Sequence, residues 1–233
     1  MAFNSMTCKI LLIDIDDTLL DFSRGEKVAF RRTFRELGLS YRAEYLRAYH
    51  TINVEWWARY DRGEVPIDEV LRQRWACLFA HIGLPLPEGD LDGLYEKHLR
   101  QQHAYVRGAK GFLRWAMRHY RVYAVSNGRQ SVQTLRIRQS GLYRYLEDTF
   151  TSEKVGYHKP QPEFFHYVAT HISDYKQEET VLIGDSLTSD MAGGRVAGVK
   201  TVWFTQSPNP KPDFVDYKLS NFVDLKKLLK KLS

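Results

Sequence analysis

A short, fully apolar run near the start of the chain ends abruptly in acidic residues. Ile10-Leu11-Leu12-Ile13 is followed directly by Asp14-Ile15-Asp16-Asp17. Hydrophobicity that is continuous rather than alternating is typical of a strand buried on both faces, as in a parallel sheet covered by helices. In open sheets of this kind, ligands bind beyond the carboxyl ends of the strands. The run therefore predicts an α/β fold with a polar site just after its first strand.

Three further apolar runs share this character, and helical patterns lie between them. The runs are Val122–Val125 ending at Ser126, Val181–Ile183 ending at Gly184 and Asp185, and Thr201–Phe204. The helical stretches are Gly111–His119, Gln130–Gln139, Glu163–His171 and Ser189–Ala197. Strands that alternate with helices predict an α/β fold built on a doubly wound parallel sheet.

The interval from residue 21 to residue 106 differs because it is almost entirely helical in pattern. Its breaks fall at residues 62–66 and 83–89, where Gly and Pro gather. We therefore predict two domains: a core of residues 1–20 and 107–233, and an all-helical cap domain of residues 21–106 inserted after the first strand. We expect most of the aromatic residues at helical spacings in this insert to lie in its core: Trp56, Trp57, Tyr60 and Trp75.

The charge of the chain raises the question of nucleic acid. Lys and Arg number 34 against 28 Asp and Glu, for a net charge of +6. Four lysines lie within the last eight residues, where they suit the carboxyl end of a final helix. There is no zinc-finger spacing and no aromatic RNA-recognition motif. A mildly basic surface serves an anionic small molecule equally well, so nucleic acid stays a lesser alternative.

The sequence also bears on the compartment. No apolar run approaches the roughly 18 residues of a membrane helix, and Met1–Thr7 lacks the basic start of a signal peptide. The two cysteines, Cys8 and Cys77, cannot form a disulfide framework, and we expect both to be buried. These features predict a cytoplasmic protein that does not act at a membrane.

Polar residues follow the ends of several predicted strands and should meet in one crevice. They are Asp14, Asp16, Asp17 and Thr18 after the first strand, Ser126, Asn127 and Gly128 after the second, and Lys159, Asp185 and Asp190 further on. Clustered carboxylates repel one another unless a cation lies among them. Carboxylate and carbonyl ligands suit a hard cation, which predicts Mg²⁺, with Mn²⁺ as the alternative ion.

These residues resemble, in order, the four motifs of the haloacid dehalogenase superfamily. The motifs are Asp14-Ile-Asp16-Asp17-Thr18-Leu19, Ser126, Lys159-Pro160, and Gly184-Asp185 with Asp190. The helical insert falls where that superfamily inserts its cap, so the resemblance covers nearly the whole chain and implies a Rossmann-like core. Asp21-Phe22 and the stretch from Trp57 to Glu64 resemble the pyrimidine nucleoside 5′-monophosphatase branch. Ile13 departs from the pattern, since the superfamily often has an aromatic residue there.

The resemblance implies a Mg²⁺-dependent phosphatase that acts through an aspartyl-phosphate. Asp14 would attack phosphorus, and Asp16 would act as general acid and then general base. The metal would be held by the Asp14 carboxylate, the Asp16 backbone carbonyl and Asp185.

The remaining motif residues would handle the phosphoryl group. Ser126 and Lys159 would bind its oxygens, together with the backbone around Asn127 and Gly128. Asp190 would orient Lys159 or metal-bound water from outside the ligand set. Asp17 and Thr18 would shape the loop or contact the phosphate less directly.

Asp16 separates two branches of the resemblance. True dehalogenases attack carbon and lack an aspartate at this place, so Asp16 favours a phosphatase. The expected partner is a small phosphorylated metabolite, and the branch resemblance points to a nucleoside 5′-monophosphate. Two alternatives stay open: a phosphatase or phosphomutase of sugar phosphates or other small phosphorylated metabolites, and a non-catalytic binding module that uses the basic surface.

Overall fold

A computed structural model describes residues 7–233 and divides the chain into two compact units. One unit comprises Met1–Asp21 and Ala104–Ser233, and the other comprises Phe22–His103. Residues 1–6, on which the expectation of a missing signal peptide partly depends, lie outside the described residues. Over residues 7–233, none of the helices combines the length and apolarity needed to cross a membrane.

The two-segment unit is built on a six-stranded sheet in which all neighbouring strands are parallel. The strands are β1 (Ile10–Ile13), β2 (Arg121–Ser126), β3 (Asp148–Thr151), β4 (Thr180–Gly184), β5 (Lys200–Phe204) and β6 (Tyr217–Leu219). Their order across the sheet is β3-β2-β1-β4-β5-β6. Because β2 and β4 flank β1, residues that follow these three strands come out side by side at one edge of the sheet.

The other unit is formed by four helices, with no strand among its residues 22–103. They are α1 (Phe22–Glu36), α2 (Ala43–Asp61), α3 (Ile67–Ile82) and α4 (Leu91–Leu99). Its interior is aromatic: the ring centroids of Tyr49 and Trp75 lie 4.6 Å apart, and those of Phe30 and Phe34 lie 4.3 Å apart. Stacked aromatic residues bury a large apolar area for few side chains, which suits a small helical unit.

Helices of the two-segment unit cover both faces of its sheet. They are α5 (Ala109–Ala116), α6 (Gln130–Ser140), α7 (Ser152–Val155), α8 (Pro162–His171), α9 (Ala192–Ala197) and α10 (Phe222–Lys231), with 3₁₀ turns at Leu142–Tyr145 and Gln177–Glu179 and a π turn at Leu187–Met191. Leu11 and Ile13 of β1 pack in a core with Phe112 of α5 and Phe222 of α10. Ile10 and Leu12 point to the other face and share a core with side chains of α8. The predicted doubly wound sheet with an inserted all-helical segment is confirmed.

The connections to the helical unit leave and return side by side. The Asp21 amide donates to the Ala104 carbonyl over 2.8 Å, and the Val106 amide donates to the Leu19 carbonyl over 3.0 Å. The chain therefore leaves and re-enters the two-segment unit at neighbouring residues, just after the loop that follows β1.

Some expectations of local structure are wrong. Of the four aromatic residues expected in the core of the insert, Trp75 is buried, whereas Trp56, Trp57 and Tyr60 are half-buried. Side chains of their own helix cover these rings in part, since Arg59 lies 4.2 Å over Trp56 and Tyr60 meets Trp57 edge to face at 5.7 Å.

The prediction that both cysteines are buried is correct for only one of them. Cys8 is buried as expected, but Cys77 is only half-buried. Burial also raises the pKa of the Cys8 thiol to about 12, so this side chain stays a neutral, unreactive core group.

Candidate active site

The loop after β1 carries four of the predicted site residues in a tight turn. The Asp14 amide donates to the Ile183 carbonyl over 2.9 Å, which extends the pairing of β1 with β4 by one residue. Asp17 adopts a left-handed conformation with φ of 54°, and its amide donates to the Leu20 carbonyl over 2.8 Å. Asp16 is therefore held at the start of the turn, partly exposed, while the buried Thr18 hydroxyl has no hydrogen-bond partner among the described residues.

Lys159 lies at the centre of the cluster, with a side chain that is 1% exposed. Its Nζ donates to Asp14 Oδ1 over 2.8 Å, to Asp190 Oδ1 over 2.6 Å and to the Val125 carbonyl over 3.0 Å. Burial alone would lower the pKa of Lys159, but the Asp14 and Asp190 carboxylates hold that pKa above its usual value. The ammonium group therefore stays charged with all three of its hydrogens directed.

Asn127 fastens the segment that carries Lys159 to the end of β2. Its Nδ2 donates to the Lys159 carbonyl and its Oδ1 accepts from the Lys159 amide, both over 2.8 Å. The Ser152 hydroxyl in turn donates to the Asn127 carbonyl over 3.2 Å. The Asn127 side chain thus holds the backbone of Lys159 through both of its polar atoms.

Asp185 and Asp190 follow β4 and complete an acidic cluster with Asp14. One carboxylate oxygen from each of the three lies within 4.8 Å of the others. Asp190 Oδ2 accepts from the Ser186 amide over 3.1 Å, so both of its oxygens accept hydrogen bonds. The Asp185 carbonyl accepts from Trp203 Nε1 over 2.8 Å, which fixes the backbone at the end of β4.

The cluster holds more negative charge than its basic side chains balance. Burial, followed by the charges of Asp190 and Asp16, raises the pKa of Asp14 to about 8 despite the opposing effect of Lys159. Burial and the charges of Asp14, Asp190 and Asp17 raise the pKa of Asp185 well above its usual value. A divalent cation would relieve this repulsion, and carboxylate oxygens are the ligands that hard cations prefer. The residues present therefore fit a divalent metal ion.

Two side chains of α6 contact Asp16, and one of them also contacts Ser126. Gln133 Nε2 donates to Asp16 Oδ2 over 2.7 Å and to Ser126 Oγ over 2.9 Å. Arg136 Nη1 donates to Asp16 Oδ1. Gln133 and Arg136 are each 1% exposed. Neither residue is among those predicted from the sequence, although their spacing of three within the predicted helix 130–139 places them on one face.

All the site residues predicted from the sequence lie in the two-segment unit, and hydrogen bonds connect most of them. Lys159 bonds to Asp14, Asp190 and Asn127, and Gln133 connects Asp16 with Ser126. Gly128 donates its amide to Ser126 Oγ over 3.0 Å. Asp17 shapes the turn after Asp16.

Comparison with known proteins identifies the family. The family model of haloacid dehalogenase-like hydrolases matches residues 8–198. YfnB of Bacillus subtilis is 35% identical over 205 residues, which cover 88% of this chain and 86% of that protein. The pyrimidine 5′-nucleotidase PynA of Streptococcus pneumoniae is 32% identical over 236 residues, which cover 98% of this chain and all of that protein.

A solved structure and a more distant relative extend the comparison. The structure of Bacillus subtilis YfnB bound to magnesium superimposes with a TM-score of 0.89, covering 96% of this chain and 99% of that chain at 32% identity. The glyceraldehyde 3-phosphate phosphatase of Pyrococcus furiosus is 24% identical and matches 96% of this chain and 93% of that protein.

Proposed function

Since the chain belongs to the haloacid dehalogenase-like hydrolases, we propose that it is a phosphatase of nucleoside 5′-monophosphates that acts through an aspartyl-phosphate at Asp14. The observation that carries the proposal is the meeting of Asp14, Lys159 and Asp190 at hydrogen-bond distance, with Asp185 beside them. These residues come from three separate segments of the chain. A buried nucleophile beside a charged lysine and an acidic metal cluster is the equipment that phosphoryl transfer requires.

In the proposed first step, a carboxylate oxygen of Asp14 forms a bond to phosphorus as the bond from phosphorus to the ester oxygen breaks. Asp16 gives its proton to that departing oxygen, which leaves as an alcohol. The Ser126 hydroxyl would bind one phosphoryl oxygen, and Lys159 would exchange its hydrogen bond to Asp14 for one to another phosphoryl oxygen, where charge develops in the transition state. Asn127 and Asp190 keep Lys159 in place for this task.

In the second step, water attacks phosphorus and breaks its bond to Asp14. Asp16, now a carboxylate, accepts the proton of that water, so the enzyme returns to its starting state and inorganic phosphate leaves. Asp14, Asp185 and the Asp16 backbone carbonyl would hold Mg²⁺, or Mn²⁺ as the alternative ion. The bound ion would offset the negative charge of the incoming phosphate.

The identity of PynA supports the nucleotide as substrate, because the match spans the helical insert as well as the core. We propose that the helical unit acts as a cap that determines which ester is accepted. The same chemistry would serve a sugar phosphate, and the match to a glyceraldehyde 3-phosphate phosphatase makes that class the second candidate. We propose the cytoplasm as the compartment, because two free cysteines suit a reducing environment.

Phosphate release from a panel of monophosphates, with and without Mg²⁺, tests the proposal. The panel holds pyrimidine and purine nucleotides, hexose phosphates, glyceraldehyde 3-phosphate and phosphoglycolate. We expect Mg²⁺-dependent release led by pyrimidine monophosphates, and none from the Asp14→Asn variant, which keeps its fold. Release led by a sugar phosphate would overturn the substrate class, and turnover by Asp14→Asn would overturn the covalent mechanism.

A further inference from the structure

Two buried side chains of α6 lie outside the four motifs. Both contact groups that the proposed mechanism uses. They are Gln133 and Arg136, each 1% exposed. A buried amide and a buried guanidinium are costly unless their hydrogen bonds are satisfied. Both direct their donors at Asp16, and Gln133 also reaches Ser126. Their burial is therefore matched to these particular partners.

The amide of Gln133 has only one orientation that satisfies its neighbours. Arg136 Nη1 donates to Gln133 Oε1 over 3.1 Å, so the oxygen of this amide must face Arg136. The two hydrogens on Nε2 are then left for Asp16 Oδ2 and Ser126 Oγ. Arg136 thus fixes the orientation of the Gln133 amide. Together the two side chains fix the Asp16 carboxylate, because Gln133 binds Oδ2 and Arg136 binds Oδ1.

The same contact determines what the Ser126 hydroxyl can do. Ser126 Oγ accepts one hydrogen bond from the Gly128 amide and a second from Gln133 Nε2. A hydroxyl oxygen has two acceptor sites, so both are taken. The hydrogen of Ser126 therefore points away from these donors and is available to donate to a phosphoryl oxygen.

We propose that Gln133 and Arg136 are positioning residues that hold Asp16 in the orientation for proton transfer and fix Ser126 as a donor. The inference rests on the proposed phosphatase function and on the role of Asp16 in it. Proton transfer depends on the placement of the acid, and a displacement of about 1 Å can cost up to about 100-fold in rate. If Asp16 is misplaced, the rate should therefore fall only for esters whose departing oxygen needs a proton.

Leaving-group dependence separates that role from a merely structural one. Phenyl phosphate and 4-nitrophenyl phosphate are close in size, but the nitrophenolate leaves readily without a proton. The quantity to measure is kcat/KM for each ester, which reports the step in which the ester bond breaks. Its ratio for the two esters does not depend on how much of a variant preparation is folded, because both values scale with the same active fraction.

The variants are Gln133→Leu, Gln133→Glu, Arg136→Met and Asp16→Asn, with Arg138→Met and Gln139→Leu as exposed controls on the same helix. Gln133→Glu keeps the shape of the side chain and its acceptor for Arg136 but removes both donors. In Asp16→Asn we expect kcat/KM for phenyl phosphate to fall about 10²- to 10⁴-fold more than for the nitrophenyl ester. In the Gln133 and Arg136 variants we expect a selective fall of about 10- to 100-fold, and the controls should keep the wild-type ratio.

The outcomes distinguish the inference from its premise. A wild-type protein that releases phosphate neither from these esters nor from any nucleoside 5′-monophosphate, or an Asp16→Asn variant that loses both rates equally, would overturn the proposed function. A selective loss in Asp16→Asn combined with a wild-type ratio in the Gln133 and Arg136 variants would overturn the positioning role alone. An equal shift in the two exposed controls would also contradict it.

Discussion

Each unit of the molecule buries a basic side chain among polar partners, but the two differ in their balance of charge. In the helical unit, Arg74 donates to Asp92 and, over 2.9 Å, to Asn53 Oδ1, and it lies 5.3 Å from the ring of Tyr95. In the two-segment unit, Lys159 donates hydrogen bonds to both Asp14 and Asp190, and the carboxylates of Asp185 and Asp16 lie nearby. Arg74 and Asp92 form a pair of opposite charges, whereas the Lys159 cluster has an excess of carboxylates.

This difference indicates what each cluster is for. A buried pair of opposite charges fixes the packing of its surroundings. An unmatched acidic cluster costs stability, and natural chains keep such costs where a ligand offsets them. Substitutions in the core cluster should therefore change chemistry, and substitutions in the helical cluster should change stability.

Among these predictions, the largest effect on activity is expected from Asp185→Asn. Removing a residue that only hydrogen-bonds a metal ligand costs about 10- to 100-fold in activity. Removing a proposed ligand itself should therefore lower Mg²⁺-dependent phosphate release on the order of 100-fold or more. Mg²⁺ should raise the Tm of the wild-type protein, because the ion binds the folded state, and should leave the variant unchanged. Asp213→Asn, at an exposed position of the same unit, is the control. An undiminished Mg²⁺ effect on the Tm of the Asp185 variant would contradict the metal assignment.

The largest effect on stability is expected from Arg74→Ala, which removes the charged partner of the Asp92 carboxylate in the helical unit. Removing one partner of a buried pair costs about 3–5 kcal/mol, to be measured as the free energy of unfolding in urea. Arg72→Ala on the same helix is exposed and should change that free energy by less than about 0.5 kcal/mol. Equal effects of the two substitutions would show that the buried cluster has no special weight.

A smaller effect is expected from Trp57→Ala, which tests the proposed role of the helical unit in substrate choice. A half-buried indole can stack on a nucleobase, a contact worth about 1–3 kcal/mol. We expect KM for the best nucleotide to rise about 10-fold, with kcat/KM for 4-nitrophenyl phosphate unchanged. Trp56→Ala is the control, since Arg59 already covers the Trp56 ring. A matching loss on both esters would indicate a structural role instead.

The smallest effect is expected at Glu147, a carboxylate of the two-segment unit that is exposed, whereas Asp14 and Asp190 of the acidic cluster are buried. The hydrogen bond from Arg121 over 2.8 Å lowers the pKa of Glu147. A lowered pKa contributes stability at neutral pH that is lost as the pH falls through the pKa of the folded state. Glu147→Gln should therefore cost less than about 1 kcal/mol at pH 7 and nothing at a pH below the carboxyl range. A difference that persists in acid would assign the effect to packing.

Much of the core could be predicted from sequence because its strands are short runs without polar interruptions. The predicted runs at β1, β2, β4 and β5 lie within one residue of the observed strands. β3 was missed because Asp148-Thr-Phe-Thr is mostly polar and lies at the edge of the sheet. The candidate acidic residues were predicted because they follow strands whose ends meet.

The supporting side chains could not be predicted in the same way. Gln133, Arg136 and Arg74 look like solvent-facing helix residues, because hydrophobic patterning assigns polar side chains to the surface. Only tertiary contacts show that partners from distant segments satisfy them: Asp16 lies 120 residues from Arg136. Half-buried Trp57 illustrates the reverse error, since an aromatic side chain at helical spacing was expected in the core.

Rapid acid quench of the enzyme during turnover of a ³²P-labelled nucleoside 5′-monophosphate tests the central claim most directly. We expect hydroxylamine-sensitive label on the protein within the first turnover, on the peptide that contains Asp14, and none in Asp14→Asn. Label on another residue, or phosphate release by Asp14→Asn at the wild-type rate, would contradict the assignment of Asp14 as the nucleophile.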